Sequence, residues 1–261
     1  MGTRPAYRFP SPLLRGTILS RPNRFVMLVK SRGKVLRCHC PTTGRLGDLE
    51  PAGLPCLYSK ASNRQRKTAY TVEAISTSGG RDWIGINQTA ANRYFEFFLR
   101  RGSLFHLASG RVRREVVLGS SRIDFLVGDA YVEVKTPLIT LPAGDVAVRK
   151  RSSRFDSFDT LIRHMDDLRR SLADGRRAKI VLCYLYDAEP FSPPPPNDSN
   201  SRILAAARSA EDAGVERWQV NLRVTKEGVS LIRYFRSRPY GGAHVSGRPR
   251  PVSSPRAPSG R

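Results

Sequence analysis

The chain has 261 residues, 39% hydrophobic and 26% charged, which is enough apolar content for a packed core and excludes a wholly disordered chain. No apolar run approaches the ~20 residues a membrane-crossing helix needs, so membrane insertion is excluded too. Lys and Arg number 45 against 22 Asp and Glu, a formal net charge of +23, and a surplus of that size calls for a polyanionic partner, with nucleic acid first.

Residues 1–12 read as a flexible arm. No acid precedes Asp48 while that stretch holds ten Lys or Arg, a composition shared by organelle transit peptides and basic binding surfaces. Strand-like pattern already begins near Leu13, which favours the surface. From 13 to 86 the chain reads as short strands with turn signals. Residues 25–29 and 35–36 flank the Gly-containing loop Ser31-Arg32-Gly33-Lys34, residues 70–75 alternate polar with apolar, and 83–86 follow. Several short strands over some seventy residues point to a small OB-type β-barrel, with Asn63-Arg64-Gln65-Arg66-Lys67 as a basic loop on it. Four irregularly spaced cysteines, Cys38, Cys40, Cys56 and Cys183, suit a reducing compartment better than a disulfide framework. Cys38-His39-Cys40 lacks the gap between paired zinc ligands, and in a strand its two thiols simply point the same way and pack.

The pattern changes at residue 87. The spacing predicts a helix over 89–100 with an aromatic stripe, then strands over 112–118, 123–127 and 131–134. A second amphipathic helix runs from about Asp156 on Leu161, Ile162, Met165, Leu168 and Leu172. Residues 180–186 form an apolar run suited to a strand buried on both faces, and 191–200 a proline-rich loop. Ser201 caps a further helix that Gly214 closes, and 215–224 with 229–235 make a last hairpin. The expected fold is therefore α/β (α+β), a barrel over 13–86 and a mixed-sheet domain over 87–236, with a flexible basic tail over 237–261.

The chemistry concentrates at one predicted hairpin. Gly128-Asp129 has the Gly-first form of a type II′ turn, which pairs Val127 with Ala130 and Phe125 with Val132. Continued outward, this register places Ile123, Phe125, Val127, Ala130, Val132 and Val134 on one apolar face. Asp124 then lies opposite Glu133, and Arg122 opposite Lys135, on the other. Two opposed carboxylates repel, and a divalent cation, Mg²⁺ or Mn²⁺, relieves that repulsion. Lys135 is placed to orient a water and to hold charge at a phosphorus centre. A plain salt-bridge network of Arg122, Asp124, Glu133 and Lys135 is the alternative. His164, among Arg163, Asp166 and Asp167, reads as a surface residue, with support of a phosphate or of the carboxylates as the alternative.

Asp124, then Glu133-x-Lys135, resembles the PD-(D/E)xK nuclease pattern. Further segments extend the likeness: residues 39–45, residues 63–67 with Tyr70 and Glu73, Asn87 with Ala91-Asn92-Arg93, Glu115, and residues 121–125. In this order they resemble the sugar fermentation stimulation protein family, from about Leu13 to Phe235. The departures are Thr42 where that family typically has Asn, and a segment before His164 without its Glu-Arg-Gly-rich run. The resemblance implies an OB-like DNA-binding barrel joined to a restriction-endonuclease-like domain, in a family named for regulating sugar metabolism. It also implies that Asp124 and Glu133 hold a metal, that Lys135 completes the core, and that Glu115 is an additional acid. Phosphates are expected along His39, Arg45, Arg64, Arg66 and Lys67, beside Arg122, and near Arg149, Lys150 and Arg151. DNA is the expected partner with RNA as the alternative, in a cytoplasmic or organellar-matrix location, and self-association stays open.

Overall fold

The computed structural model describes residues 6–42, 46, 49–61, 65–138, 141–142, 158–198 and 200–238. A short strand β1 (Tyr7–Arg8) is followed by β2 (Leu14–Asn23), β3 (Val26–Ser31), β4 (Lys34–His39), β5 (Pro55–Lys60) and β6 (Tyr70–Ile75). The last five run in the order β4-β3-β2-β5-β6 and close through a parallel pair, Cys38 with Tyr70 and His39 with Thr71. That is a five-stranded OB-type barrel. Ile18, Met27, Val29, Cys38, Cys56 and Val72 fill its interior. Burial pushes the Cys38 and Cys56 thiols up to about 12, so these two cysteines pack as unreactive small hydrophobes.

A two-residue strand β7 (Ile84–Gly85) leads from the barrel into α1 (Gln88–Arg100). Next come β8 (Val112–Leu118), β9 (Ser121–Val127), β10 (Ala130–Lys135), α2 (Asp159–Ser171), β11 (Arg177–Tyr184), α3 (Ser201–Asp212), β12 (Glu216–Val224) and β13 (Gly228–Arg236). The expected start of α2 near Asp156 lies outside the described residues. Seven strands form a mixed sheet, ordered β1-β13-β12-β11-β10-β9-β8, with β10, β11 and β12 mutually parallel. Central β11 is apolar on both sides from Ile180 onward because both sides are covered. Val181 and Cys183 meet the α1 aromatics Phe95 and Phe98, while Ala178 and Ile180 meet Met165 and Leu168 of α2.

Barrel and sheet are packed together without an intervening linker. Leu13, Leu57 and Ala74 of the barrel share one buried cluster with α1 and the sheet. At Gly85 a Cβ would lie 2.5 Å from Leu185 and 2.8 Å from Val224, so a side chain there would force the two apart. The arm expected to be flexible over 1–12 departs from that reading at residues 6–12. Tyr7 pairs with Val229, Phe9 N donates to Glu227 O at 3.1 Å, and the Tyr7 ring sits edge-on to Tyr94 at 5.0 Å. Two aromatic rings and a sheet edge outweigh the ordering cost of a few residues.

Candidate functional site

Gly128 has φ +60° while Asp129 stays in the ordinary region, as a type II′ turn requires, and a Cβ on Gly128 would meet Ser109 O at 2.7 Å. The β9–β10 ladder runs as expected through Val127–Ala130 and Leu126–Tyr131 to Phe125–Val132, and stops there. Beyond it Val134 N donates to Asp124 Oδ2 at 2.8 Å, so a side-chain carboxylate replaces the next backbone acceptor. The two-face sorting fails at this point. Ile123, expected beside Phe125, packs with Met165 and Leu168 under α2, beyond the point where the ladder opens. Arg122 pairs not with Lys135 but with Val117 on β8, and its guanidinium lies 3.2 Å from Glu115 Oε2.

At the opening, Asp124 and Glu133 converge. Asn92 Nδ2 of α1 donates to Asp124 Oδ1 at 2.6 Å, and Asp124 N lies 3.4 Å from Glu133 Oε2. Glu133 is 2% exposed, and its Oε1 takes both Lys135 Nζ at 2.7 Å and His164 Nδ1 at 2.6 Å. An ionised carboxylate only accepts, so His164 Nδ1 carries the proton in that bond. Burial, then the charge of Glu133, pushes the Asp124 carboxyl up to about 6. One more contact fixes the constellation. Asp167, one helical turn beyond His164, is buried and accepts from Ser120 N at 3.2 Å and Ser120 Oγ at 3.1 Å, tying α2 to the β8–β9 turn.

The structure thus brings together Asp124, Glu133 and Lys135 with Asn92 and His164. Of the two readings of His164 the structure supports the inward one over the surface one: the half-buried side chain lies at helical spacing from Leu161 and Leu168 and reaches Glu133. Glu115, the expected additional acid, stands across from Asp124 in the β8–β9 register but is exposed, pairs with Arg122 and has φ +50°. Among the described residues no group of three His, Cys, Asp or Glu side chains is arranged to hold an ion by itself. The donor set offered to a metal is therefore two hard carboxylates, which fits Mg²⁺ or Mn²⁺ completed by water and phosphate oxygens.

A second polar region lies where the barrel meets α1. His39 ends β4, and burial with the neighbouring Arg66 lowers its imidazole below the usual histidine range. Arg66 lies 3.4 Å from Thr71 Oγ1, and Lys67 is exposed. Glu73 is buried, accepting from Ser59 Oγ and Asn87 Nδ2 at 2.6 Å each. Asn87 in turn caps α1 through Ala90 N at 3.1 Å. Arg45, Arg64, Arg149, Lys150 and Arg151 lie outside the described residues. No described helix is long and apolar enough to cross a membrane.

Residues 19–86 match the family model described as the SfsA N-terminal OB domain. The sugar fermentation stimulation protein homolog of Synechococcus sp. (strain JA-2-3B'a(2-13)) is 35% identical over 230 residues, covering 85% of this chain and 92% of that relative. The homolog of Methylobacterium nodulans is 33% identical over 239 residues, covering 87% and 97%. Among solved structures, that of Pyrococcus furiosus SfsA in complex with Ca²⁺ is similar with a TM-score of 0.69 and 25% identity, over 88% of this chain and 96% of that one. The chain belongs to the sugar fermentation stimulation protein family.

Proposed function

We propose that the protein binds DNA through its basic barrel and hydrolyses phosphodiesters at the Asp124–Glu133–Lys135 site with Mg²⁺ or Mn²⁺. The observation that carries this reading is the convergence of a buried carboxylate, a half-buried one and an amine where β9 and β10 part. Asp124 and Glu133 would hold the cation, which supplies an acidified water and charge neutralisation at phosphorus. Lys135 Nζ holds Glu133 and offers its charge to the phosphoryl oxygens. His164 acts as a positioning residue, clamping the Glu133 carboxylate from α2. The relative from Pyrococcus furiosus was solved with Ca²⁺, an oxygen-seeking divalent cation of the same class, which supports a metal site here.

The test is DNA cleavage with Mg²⁺ or Mn²⁺, comparing wild type with Glu133→Gln and Lys135→Ala. Cleavage lost in both variants with binding retained supports the enzyme. A second reading, a non-catalytic DNA-binding regulator of sugar metabolism, is favoured by one observation: Glu133, Lys135 and His164 already form a self-satisfied ion-pair set. Absence of cleavage with every divalent cation, alongside intact binding, would decide for it.

A further inference from the structure

Between the arm, the barrel and the first turns of α1 lies a cleft of about 790 Å³, within the size range of small-ligand sites. Lys60, Arg66 and Arg93 line it, and among the described residues none of the three is ion-paired. The acid within it, Glu73, has each carboxylate oxygen engaged by a barrel or helix side chain. The arm supplies a different chemistry, the half-buried rings of Tyr7 and Phe9. Arg66 belongs to the connection between the fourth and fifth barrel strands, one of the loops with which OB barrels grip oligonucleotides. Cations beside aromatic rings are what a backbone with unstacked bases requires, since phosphates take the charge and bases take the rings.

Helix α1 links this cleft to the carboxylates. Asn92 holds Asp124, while the adjacent Arg93 turns into the cleft with its guanidinium 5.5 Å over the Tyr94 ring. We propose that the cleft seats a short segment of single-stranded DNA and leads it past α1 to the Asp124–Glu133 pair. The path to cleavage rests on the nuclease reading, but the seat does not.

Binding is therefore measured on the full chain in EDTA, by anisotropy of a labelled single-stranded DNA oligonucleotide, the blunt duplex of the same sequence, and the matching single-stranded RNA. The single strand should bind at least about tenfold more tightly than the duplex. Arg93→Gln and Lys60→Gln with Arg66→Ala should each weaken the single strand about tenfold and leave the duplex nearly unchanged, with unaltered melting temperatures showing that the variants fold. Equal or tighter duplex binding, or variants that affect both DNAs alike, would overturn the seat. Tighter RNA than DNA binding would overturn the assignment to DNA. Because no metal is present, failure of cleavage elsewhere bears only on the carboxylates.

Discussion

Two glutamates, one in each half of the molecule, are almost equally buried and do opposite work. Glu73 of the barrel is 8% exposed and Glu133 of the sheet 2%. Glu73 is held by the Ser59 hydroxyl and by the Asn87 amide that also caps α1, so it is a fixed part of the joint between barrel and α1. Glu133 is held by an ammonium and an imidazole and faces a second carboxylate whose proton is retained to about 6. Burial alone therefore separates nothing. The surroundings do: Glu73 meets a hydroxyl and an amide, whereas Glu133 meets an ammonium, an imidazole and the carboxyl of Asp124.

The sharpest way to break this comparison is to neutralise each glutamate. Glu133→Gln should lower metal-dependent cleavage by at least about 100-fold, near 3 kcal/mol of transition-state stabilisation, while thermal stability falls as the bonds from Lys135 and His164 lose their charge, offset in part by relief of the repulsion with Asp124. Cleavage rates and melting curves on one preparation check both halves. A variant that cleaves normally would remove Glu133 from the chemistry.

The next effect is a pH dependence of stability in EDTA. Asp124 titrates near 6 when folded and close to 4 when unfolded, so the native state binds the proton more tightly between those values. Its contribution to stability is full below the unfolded value and is lost as pH rises through about 6, a cost approaching 3 kcal/mol by neutral pH. Asp124→Asn should therefore gain on wild type as pH rises from about 4 to 8, by denaturant titration. Added Mg²⁺ should shrink the difference by stabilising the charged wild type alone. A difference that stays flat with pH would show that neither burial nor Glu133 raises the Asp124 carboxyl.

Much of this was legible from periodicity. The order of helices and strands after residue 87, the Gly128 turn and the three inner pairs of the hairpin all follow from alternation and turn chemistry. What escaped has local causes. Strand β2 carries Gly16, Pro22 and two register shifts, so it lacks a clean period of two, and β1 is two residues long. Ile123 and Asp124 broke the face assignment because a side chain, not a backbone, completes the hydrogen bonding there. His164 was hidden by its charged neighbours, although Leu161, His164 and Leu168 share helical spacing, a signal that outranks local polarity. Asn92 sits beside the α1 stripe, where only the register of another strand reveals its partner.

Glu73→Gln is the smaller counterpart on the barrel side. The amide turns two charge-assisted bonds into neutral ones while Ser59 rotates to accept, so the expected loss is about 1–2 kcal/mol of unfolding free energy. Urea titration with an unchanged m-value checks it. Stability equal to wild type would mean that the joint does not depend on this acid and that the contrast with Glu133 is one of chemistry only.

The finest distinction lies in Asn92, which touches the site without supplying a charge. Its amide donates to Asp124 Oδ1 and so favours the ionised carboxylate, opposing burial and the charge of Glu133. Removing that donor in Asn92→Ala should raise the Asp124 pKa further, by about 0.7 of a unit if the bond is worth near 1 kcal/mol net. The acidic limb of the cleavage profile then moves to higher pH by the same amount, while the rate on the alkaline plateau falls only slightly. Asn92→Asp tests the same point from the other side, since a second carboxylate there pushes Asp124 up more strongly and shifts the limb further. A loss that is uniform across pH would instead mark Asn92 as a packing residue of α1. In that case the proton held at Asp124 is governed by Glu133 and burial alone.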